Sequence, residues 1–187
     1  VFGTAAIVLL LVTPLLTMRS FAEERRNGTL ALLQAAPAGT AELVLGKYLG
    51  LLGFFALQLL LIVLLPASLY LGGSPDTGQL ACCVAALALL LCAFCAIGLF
   101  TSVLTAQPAV AASAAVGLML VLWIVGWAAT PGEDGATTVL GYLSLLAHYE
   151  RLLTGYVDTA DALYYGIVSL VFLALTAWRL EVERLQG

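Results

Sequence analysis

Charged side chains are scarce in this chain. Asp, Glu, Lys and Arg make up 10% of its 187 residues, whereas 63% of the residues are hydrophobic. Soluble globular domains carry about a quarter charged and about half apolar residues, and a soluble chain with the present composition would expose apolar patches that aggregate. The shortage of charge therefore excludes an ordinary water-soluble domain. Composition does not change along the chain, so we expect one domain over residues 1–187.

Charge is absent from five long apolar runs, at about residues 1–18, 48–71, 80–105, 110–130 and 162–178. A helix that crosses a membrane needs ~20 such residues, and all but the last run exceed or match this length easily. In lipid each backbone polar group must be paired within its own segment, which favours helices. The runs do not alternate apolar and polar residues as strands of a β-barrel would. We therefore predict an all-α, polytopic membrane helical bundle with five spans.

Ionisable side chains other than cysteine and tyrosine are missing from these runs. Proton-coupled carriers and intramembrane proteases need such groups within the membrane, so both classes are disfavoured. His148 is the single histidine, and Glu150 lies close to it in the sequence. The two could form an acid/base pair, but a lone histidine on the outer side is more commonly a structural residue.

Two short motifs resemble chemical sites and are predicted not to be. Cys92 and Cys95 have the spacing of a redox or zinc pair. No His, Asp or Glu accompanies them in the third run, and buried thiols are unreactive, so we expect them to serve packing. Gly46 and Lys47 imitate the end of a phosphate-binding loop, but Ala41 and Tyr48 stand where that loop needs Gly and Ser or Thr. We therefore predict that the chain itself holds no metal, cofactor or nucleotide.

Basic residues are distributed unevenly between the two sides of the predicted bundle. Of the seven Lys and Arg residues, only Arg151 falls on the side opposite the first connection and the C-terminus. The positive-inside rule makes the basic side cytoplasmic. Val1 would then lie outside, which leads us to expect a six-helix parent protein whose first helix precedes this sequence. A processed protein with an outer N-terminus is the alternative.

The first cytoplasmic connection, residues 19–47, is the most informative segment. Ser20 and Glu23 fit a capping box that starts a short helix, and Gly28 after Asn27 predicts its end. Thr29 is predicted to cap a second short helix over residues 30–35. Four charges lie together in the first of these helices: Glu23, Glu24, Arg25 and Arg26. From the residues alone, an interfacial helix that meets lipid headgroups explains this charge equally well.

Three glycines follow at helical spacing in the second span. Gly46, Gly50 and Gly53 give that helix one face small enough for close backbone approach, so we predict helix packing there. Gln58 lies near the middle of the same span and is predicted to bond to a neighbouring helix. The outer segment, residues 131–161, contains a predicted amphipathic helix, which is indicated by Leu143, Leu146 and Leu153 and by the aromatic residues Tyr142 and Tyr149.

Several stretches together resemble the ABC-2 type transporter permeases. The most specific is PLLTMRSFAEERRNGTLALLQAAP at residues 14–37, followed by VLGK at 44–47. LSLLAHYE at 143–150 and GYVD at 155–158 agree, as do residues 96–102, 104–105, 164–165 and 172–173. The likeness is greatest to the branch that contains gliding-motility and nitrous-oxide-reductase-maturation permeases.

This resemblance implies the transmembrane subunit of an ATP-driven exporter in the inner membrane of a prokaryote. It implies a coupling helix that docks on a separate ATPase subunit, which would bind ATP and Mg and carry the catalytic activity. A second permease copy or a paralogue would complete the complex, and no nucleic acid is expected. The coupling residues would be Arg19, Glu23, Glu24, Arg25, Arg26, Gly28 and Thr29. The alternative is a membrane scaffold protein without transport.

Overall fold

The described part of the chain is helical apart from short turns. The computed structural model describes residues 2–29, 39–68, 77–128, 143–153 and 159–186, and no strand occurs in these ranges. The helices are α1 (Phe2–Thr17), α2 (Arg19–Arg26), α3 (Thr40–Ser68), α4 (Thr77–Leu104), α5 (Pro108–Ala128), α6 (Leu145–Leu153) and α7 (Thr159–Gln186). The predicted all-α class is confirmed. The second short helix expected at residues 30–35 lies outside the described residues, as does most of the outer segment.

Within the described residues, five helical stretches are long and apolar enough to cross a membrane, which is the number expected. They are Phe2–Arg26, Thr40–Leu64, Gly78–Leu104, Pro108–Val125 and Thr159–Leu185. The first stretch takes in both α1 and α2, because the chain passes between them with almost no break. The last helix is longer than its apolar run and begins at Thr159, so Asp161 lies in its first turn. The helix also continues past the other end of the run, so Arg179, Glu181, Glu183 and Arg184 lie in its last turns.

The bundle has two ends, which we name by their short helices. At the α2 end, α2 contacts the end of α4 and the C-terminal turns of α7. At the α6 end, α6 contacts the first residues of α1 and α7. The core of the bundle lies between these two ends.

Helix α4 forms the centre of the bundle. It packs against all six other described helices. In its apolar window 56% of the residues are buried, against 11% in the window of α3. Lipid chains are as apolar as leucine, so close packing rather than hydrophobic exclusion holds such helices together. α4 therefore carries the core, and α3 lies at the periphery of this chain.

Helices α1 and α4 approach each other closely at Gly98 of α4. A Cβ atom there would lie 2.2 Å from the Oγ1 of Thr17 at the end of α1. Thr17 is fully buried and its hydroxyl donates to the carbonyl of Thr13 at 2.9 Å, so it has little freedom to move away. The absence of a side chain at Gly98 is what allows α1 and α4 to meet.

The glycines that the sequence assigned to helix packing are placed differently. Gly46, Gly50 and Gly53 are exposed on α3, and a Cβ at any of them would meet open space. Within the described chain they contact no other helix, so their packing role stays a prediction that needs a further partner.

Polar side chains inside the bundle mostly bond to their own helix. Thr13, Thr17, Ser169 and Thr176 each donate to the carbonyl four residues earlier. Each hydroxyl is thereby hydrogen-bonded within its own helix and needs no partner on another helix. Such pairing is required because lipid offers no hydrogen-bond partner. Gln58 differs, because its Oε1 is buried and accepts no hydrogen bond among the described residues. The bond of Gln58 to a neighbouring helix therefore stays a prediction.

Candidate functional site

The start of α2 is capped by a residue far away in the sequence. Ser102, at the end of α4, accepts hydrogen bonds from the backbone N–H of Phe21 at 3.0 Å and of Ala22 at 3.1 Å. Its own hydroxyl donates to the carbonyl of Met18 at 3.1 Å. One buried side chain therefore ties the first turn of α2 to the central helix.

The predicted capping box is wrong. Met18 occupies the position before α2 in a helical conformation, and no side chain at that position caps the helix. The N–H of Met18 still donates to the carbonyl of Pro14 at 2.9 Å, so α1 leads almost directly into α2. A capping box serves a free helix end, and no free end exists here.

The end of α2 confirms the predicted helix stop. Gly28 has a φ of +70°, the left-handed conformation that glycine adopts without strain. The N–H of Thr29 donates to the carbonyl of Glu24 at 3.0 Å, and the N–H of Gly28 donates to that of Arg25 at 3.3 Å. These two bonds form a Schellman motif, which satisfies the last carbonyls of a helix. The hydroxyl of Thr29 also donates back to Glu24, at 3.3 Å.

Lys47 joins α2 to α3. Its Nζ lies 2.6 Å from the Oε2 of Glu24 and also donates to the carbonyl of Ser20. The same ammonium group lies 4.3 Å above the centre of the Phe21 ring, a cation–π contact. Both ends of the ion pair are partly buried, so screening by solvent is reduced. Lys47 thus holds α2 by charge, by a backbone contact and by an aromatic ring.

Arg25 joins α2 to α7. Its guanidinium forms a partly buried ion pair with the carboxylate of Glu183. Glu183 also lies 3.4 Å from the Nε of Arg179, one turn earlier on α7. Two of the four clustered charges in α2, Glu24 and Arg25, are therefore used within this chain.

The remaining charges of α2 form an exposed face. Arg19, Glu23 and Arg26 recur at helical spacing along one side and are all exposed. Arg19 and Glu23 approach to 3.9 Å, an exposed pair whose contribution to stability is small. An open cleft of about 1060 Å³ lies beside this face and is bounded by the turn between α4 and α5, at Gln107 and Pro108. We call Arg19, Glu23 and Arg26 the exposed face of α2.

A second charged cluster lies at the α6 end. The Nδ1 of His148 lies 2.5 Å from the Oδ1 of Asp161 and 2.6 Å from a guanidinium nitrogen of Arg151. Arg151 also lies 3.1 Å from Asp161. His148 and Asp161 are almost completely buried. Because arginine only donates and a carboxylate only accepts, Nδ1 can serve one of them at a time.

This cluster fixes α6 to the bundle. The ring of His148 stacks on that of Tyr164, with centroids 4.1 Å apart. Tyr165 donates to the carbonyl of Leu145 at 2.8 Å, and Tyr149 donates to the carbonyl of Phe2 at 2.9 Å. Burial raises the pKa of the Tyr149 phenol, which keeps this donor protonated. The histidine is thus a structural residue with Asp161 as its carboxylate partner, whereas Glu150 is exposed.

Helix α6 confirms the predicted amphipathic helix. Leu145, His148, Tyr149 and Leu152 are buried, so Tyr149 of the predicted pattern lies on the inner face, whereas Leu146 and Leu153 are only partly buried. The inner face also takes in His148, a polar residue that hydrophobic periodicity alone does not detect.

The four cysteines lie on α4. Cys83 and Cys95 are buried, and none of the four forms a disulfide. Within the described ranges, no three His, Cys, Asp or Glu side chains group closely enough to hold a metal ion. These thiols contribute to the packing of the central helix.

The comparison with protein families decides the class of this chain. The sequence model described as ABC-2 family transporter protein matches residues 3–185. The chain belongs to this family. Comparisons with curated proteins and with solved structures gave no match. As an ABC-2 family member with five apolar helices, the chain is a multi-pass membrane protein, and membership supports the role of permease subunit in an ABC transporter.

Sequence reasoning missed the residues that hold α2 in place. Ser102 was noticed only as part of the family resemblance, Lys47 as part of that resemblance, as a basic residue and in a rejected loop motif, and Glu183 only as a charge. The usable signal was weak: a serine at the end of a span and a lysine at the start of one, both on the basic side. The contacts join residues more than 20 positions apart, which local patterns do not show.

Proposed function

We propose that α2 is the coupling helix of an ABC exporter permease and that it docks on a separate ATPase subunit. The ATPase binds ATP and Mg, and closure of its dimer moves α2. The motion passes from α2 into the membrane spans. The permease contributes no catalytic residue of its own.

The attachment of α2 to three different spans carries this proposal. Ser102 ties α2 to α4, Lys47 ties it to α3, and Glu183 ties it to α7. A helix that only rested on lipid headgroups would need no such ties. Because all three contacts meet on one short helix, a displacement of α2 acts on three spans together.

The exposed face of α2 supplies the docking surface. Its three charged side chains are exposed and make no described ion pair with another helix. The adjoining cleft is open beside the turn between α4 and α5. Charge pairs formed when a partner covers such a face lose their water and become stronger than exposed pairs. Gly28 and Thr29 end the helix beside this face and set the direction of the chain that follows.

The wider setting follows from the same proposal. The α2 end faces the cytoplasm, the chain lies in the inner membrane of a prokaryote, and its C-terminus is cytoplasmic. A second permease copy or a paralogue completes the transmembrane unit, with the exposed glycines of α3 as one candidate contact. The gliding-motility and nitrous-oxide-reductase-maturation branch is the proposed placement within the family.

Docking is tested by exchanging charges on the exposed face. Glu23→Lys combined with Arg26→Glu keeps the net charge but reverses the pattern that a partner would meet. Measured by co-purification with the partner ATPase, binding should fall by about tenfold or more, since several interfacial pairs become repulsive.

The matched control lies on α7 at the same end. Glu181 and Arg184 are exposed and have the same spacing as Glu23 and Arg26. Glu181→Lys with Arg184→Glu should leave ATPase binding unchanged. If both exchanges leave binding intact, α2 is an interfacial anchor, and the scaffold alternative replaces the coupling role.

Orientation is tested by thiol labelling in intact cells on a cysteine-free background. Glu150→Cys should react with an impermeant reagent, because α6 faces outwards in this proposal. Asn27→Cys should react with this reagent only after the membrane is permeabilised. The reverse labelling pattern would show that the protein has the opposite orientation in the membrane.

A further inference from the structure

An apolar groove runs along the bundle between α5 and α7. Its volume is about 790 Å³, and it lies in the half of α7 that is nearest the α6 end, between Ala160 and Phe172. Its walls are almost wholly hydrocarbon, from residues that include Leu122, Leu163, Tyr164, Ile167, Val171 and Phe172. Such a surface fits an aliphatic ligand and offers very little to a polar one.

The length of the groove matches one leaflet of a bilayer. At 1.5 Å per residue, α7 rises roughly 18 Å between Ala160 and Phe172. Half of a typical hydrocarbon core is about 15 Å. The groove therefore begins near the membrane surface at the α6 end and reaches the middle of the membrane.

The groove opens sideways towards lipid. Leu163 is 62% exposed and Ile167 is 55% exposed within this chain. An empty groove in a bilayer would forfeit the dispersion contacts of all the groups that line it. A lipid acyl chain lying along α7 would restore those contacts.

The charged cluster of α6 lies at the polar end of the groove. Tyr164 lines the groove, and its ring stacks on His148. His148 and Asp161 in turn hold the guanidinium of Arg151, whose side chain is 54% exposed. The other six Lys and Arg residues of the chain belong to the α2 end or its connections. Arginine matches the geometry of a phosphate group, so the partly exposed guanidinium of Arg151 offers a contact for a phospholipid headgroup.

We propose that this groove binds one phospholipid of the leaflet at the α6 end. An acyl chain lies between α5 and α7, and the phosphate lies against Arg151. The cluster of His148 and Asp161 holds the guanidinium at the mouth of the groove. This site goes beyond coupling to an ATPase and does not depend on it, because the permease alone forms it.

Binding is measured by native mass spectrometry of the detergent-purified full chain, titrated with palmitoyl-oleoyl phosphatidylglycerol. Val171→Trp places a large ring in the groove at a position that is half exposed, so the fold should be preserved. It should weaken phospholipid binding by about tenfold, since the ring takes the place of an acyl chain in the groove and removes its packing contacts. Leu170→Trp is the control, because Leu170 is its chain neighbour, is 67% exposed and does not line the groove.

The headgroup contact is tested separately. Arg151→Gln should weaken binding of phosphatidylglycerol by about fivefold, the effect of one basic residue beside a membrane phosphate. Binding of a diacylglycerol, which has the same chains and no phosphate, should not change. Arg151→Lys should restore most of the phosphatidylglycerol affinity, whereas a purely structural role for Arg151 would affect both lipids.

Three results would overturn the proposal. The first is equal phospholipid binding by Val171→Trp and Leu170→Trp. The second is an equal loss of both lipids in Arg151→Gln. The third is a change from dimer to monomer caused by Val171→Trp without any change in bound lipid, which would assign the groove to a second copy of the chain.

Discussion

The two ends of the bundle each hold a cluster of charges, but they use them in opposite ways. At the α6 end, His148 and Asp161 are almost completely buried and locked by stacked rings. At the α2 end, the pairs of Glu24 with Lys47 and of Arg25 with Glu183 are only partly buried. A face of further charges remains exposed there.

The difference in burial gives the two ends different mechanical roles: one holds helices in place, and the other can be displaced. The buried pair of His148 and Asp161 is costly to separate, because each group would lose its partner in a medium of low dielectric constant. The pairs at the α2 end keep some contact with solvent, so separating them costs less than separating the almost completely buried pair of His148 and Asp161. The α6 end is therefore suited to hold the spans together, and the α2 end is suited to be displaced by a partner.

The largest effect on stability is expected at the α6 end. Asp161→Ala would leave His148 buried without its carboxylate and Arg151 without its anion, and should lower the free energy of unfolding by about 3 kcal/mol. Glu150→Ala, on the exposed side of α6, is the control and should change it very little. SDS unfolding titrations followed by circular dichroism measure both. Equal stability of the two variants would show that the cluster does not fix α6.

The next largest effect is expected where α1 meets α4. Gly98→Ala would place a methyl group against Thr17 and force the two helices apart, at a cost of about 2 kcal/mol. Gly50→Ala, whose new methyl group would meet open space, should leave the stability of the isolated chain unchanged. The same SDS titration compares them. If Gly98→Ala is tolerated as well as Gly50→Ala, the close approach is not needed for folding.

A smaller effect is expected at the start of α2. Ser102→Ala removes the acceptor for the N–H groups of Phe21 and Ala22, and should cost about 1 kcal/mol because these groups can turn to carbonyls of the preceding turn. Thr101→Ala is the matched neighbour, since its hydroxyl donates only within α4, to Gly98 at 3.0 Å. Hydrogen exchange of the α2 amides should rise in the first variant and not in the second. Unchanged exchange in Ser102→Ala would mean that this serine does not hold α2.

Some of this fold follows directly from the sequence. Long uncharged runs predict helices because lipid cannot satisfy a free backbone, and Gly28 predicts the end of α2 because few residues adopt a left-handed φ. Both are local properties. The start of α2 was predicted wrongly, because its cap comes from Ser102 on another helix.

The candidate site was harder to predict for the same reason. The four adjacent charges of α2 look equivalent in sequence, yet two bind inside the bundle and two contribute to the exposed face. The difference depends on the positions of Lys47 and Glu183 in the folded chain, because these residues pair with Glu24 and Arg25. Likewise, three regularly spaced glycines indicated packing, but the glycine that permits contact within this chain is the isolated Gly98.

The central claim is that α2 receives motion on its exposed face and passes it on through its ties to the spans. The most direct test measures ATPase binding and ATPase stimulation side by side in the reconstituted complex of Lys47→Met. This substitution removes the ion pair with Glu24 and leaves the exposed face intact. We predict unchanged binding, while stimulation falls by about tenfold, the size of a typical coupling between sites. Full stimulation in this variant, with binding intact, would contradict the account.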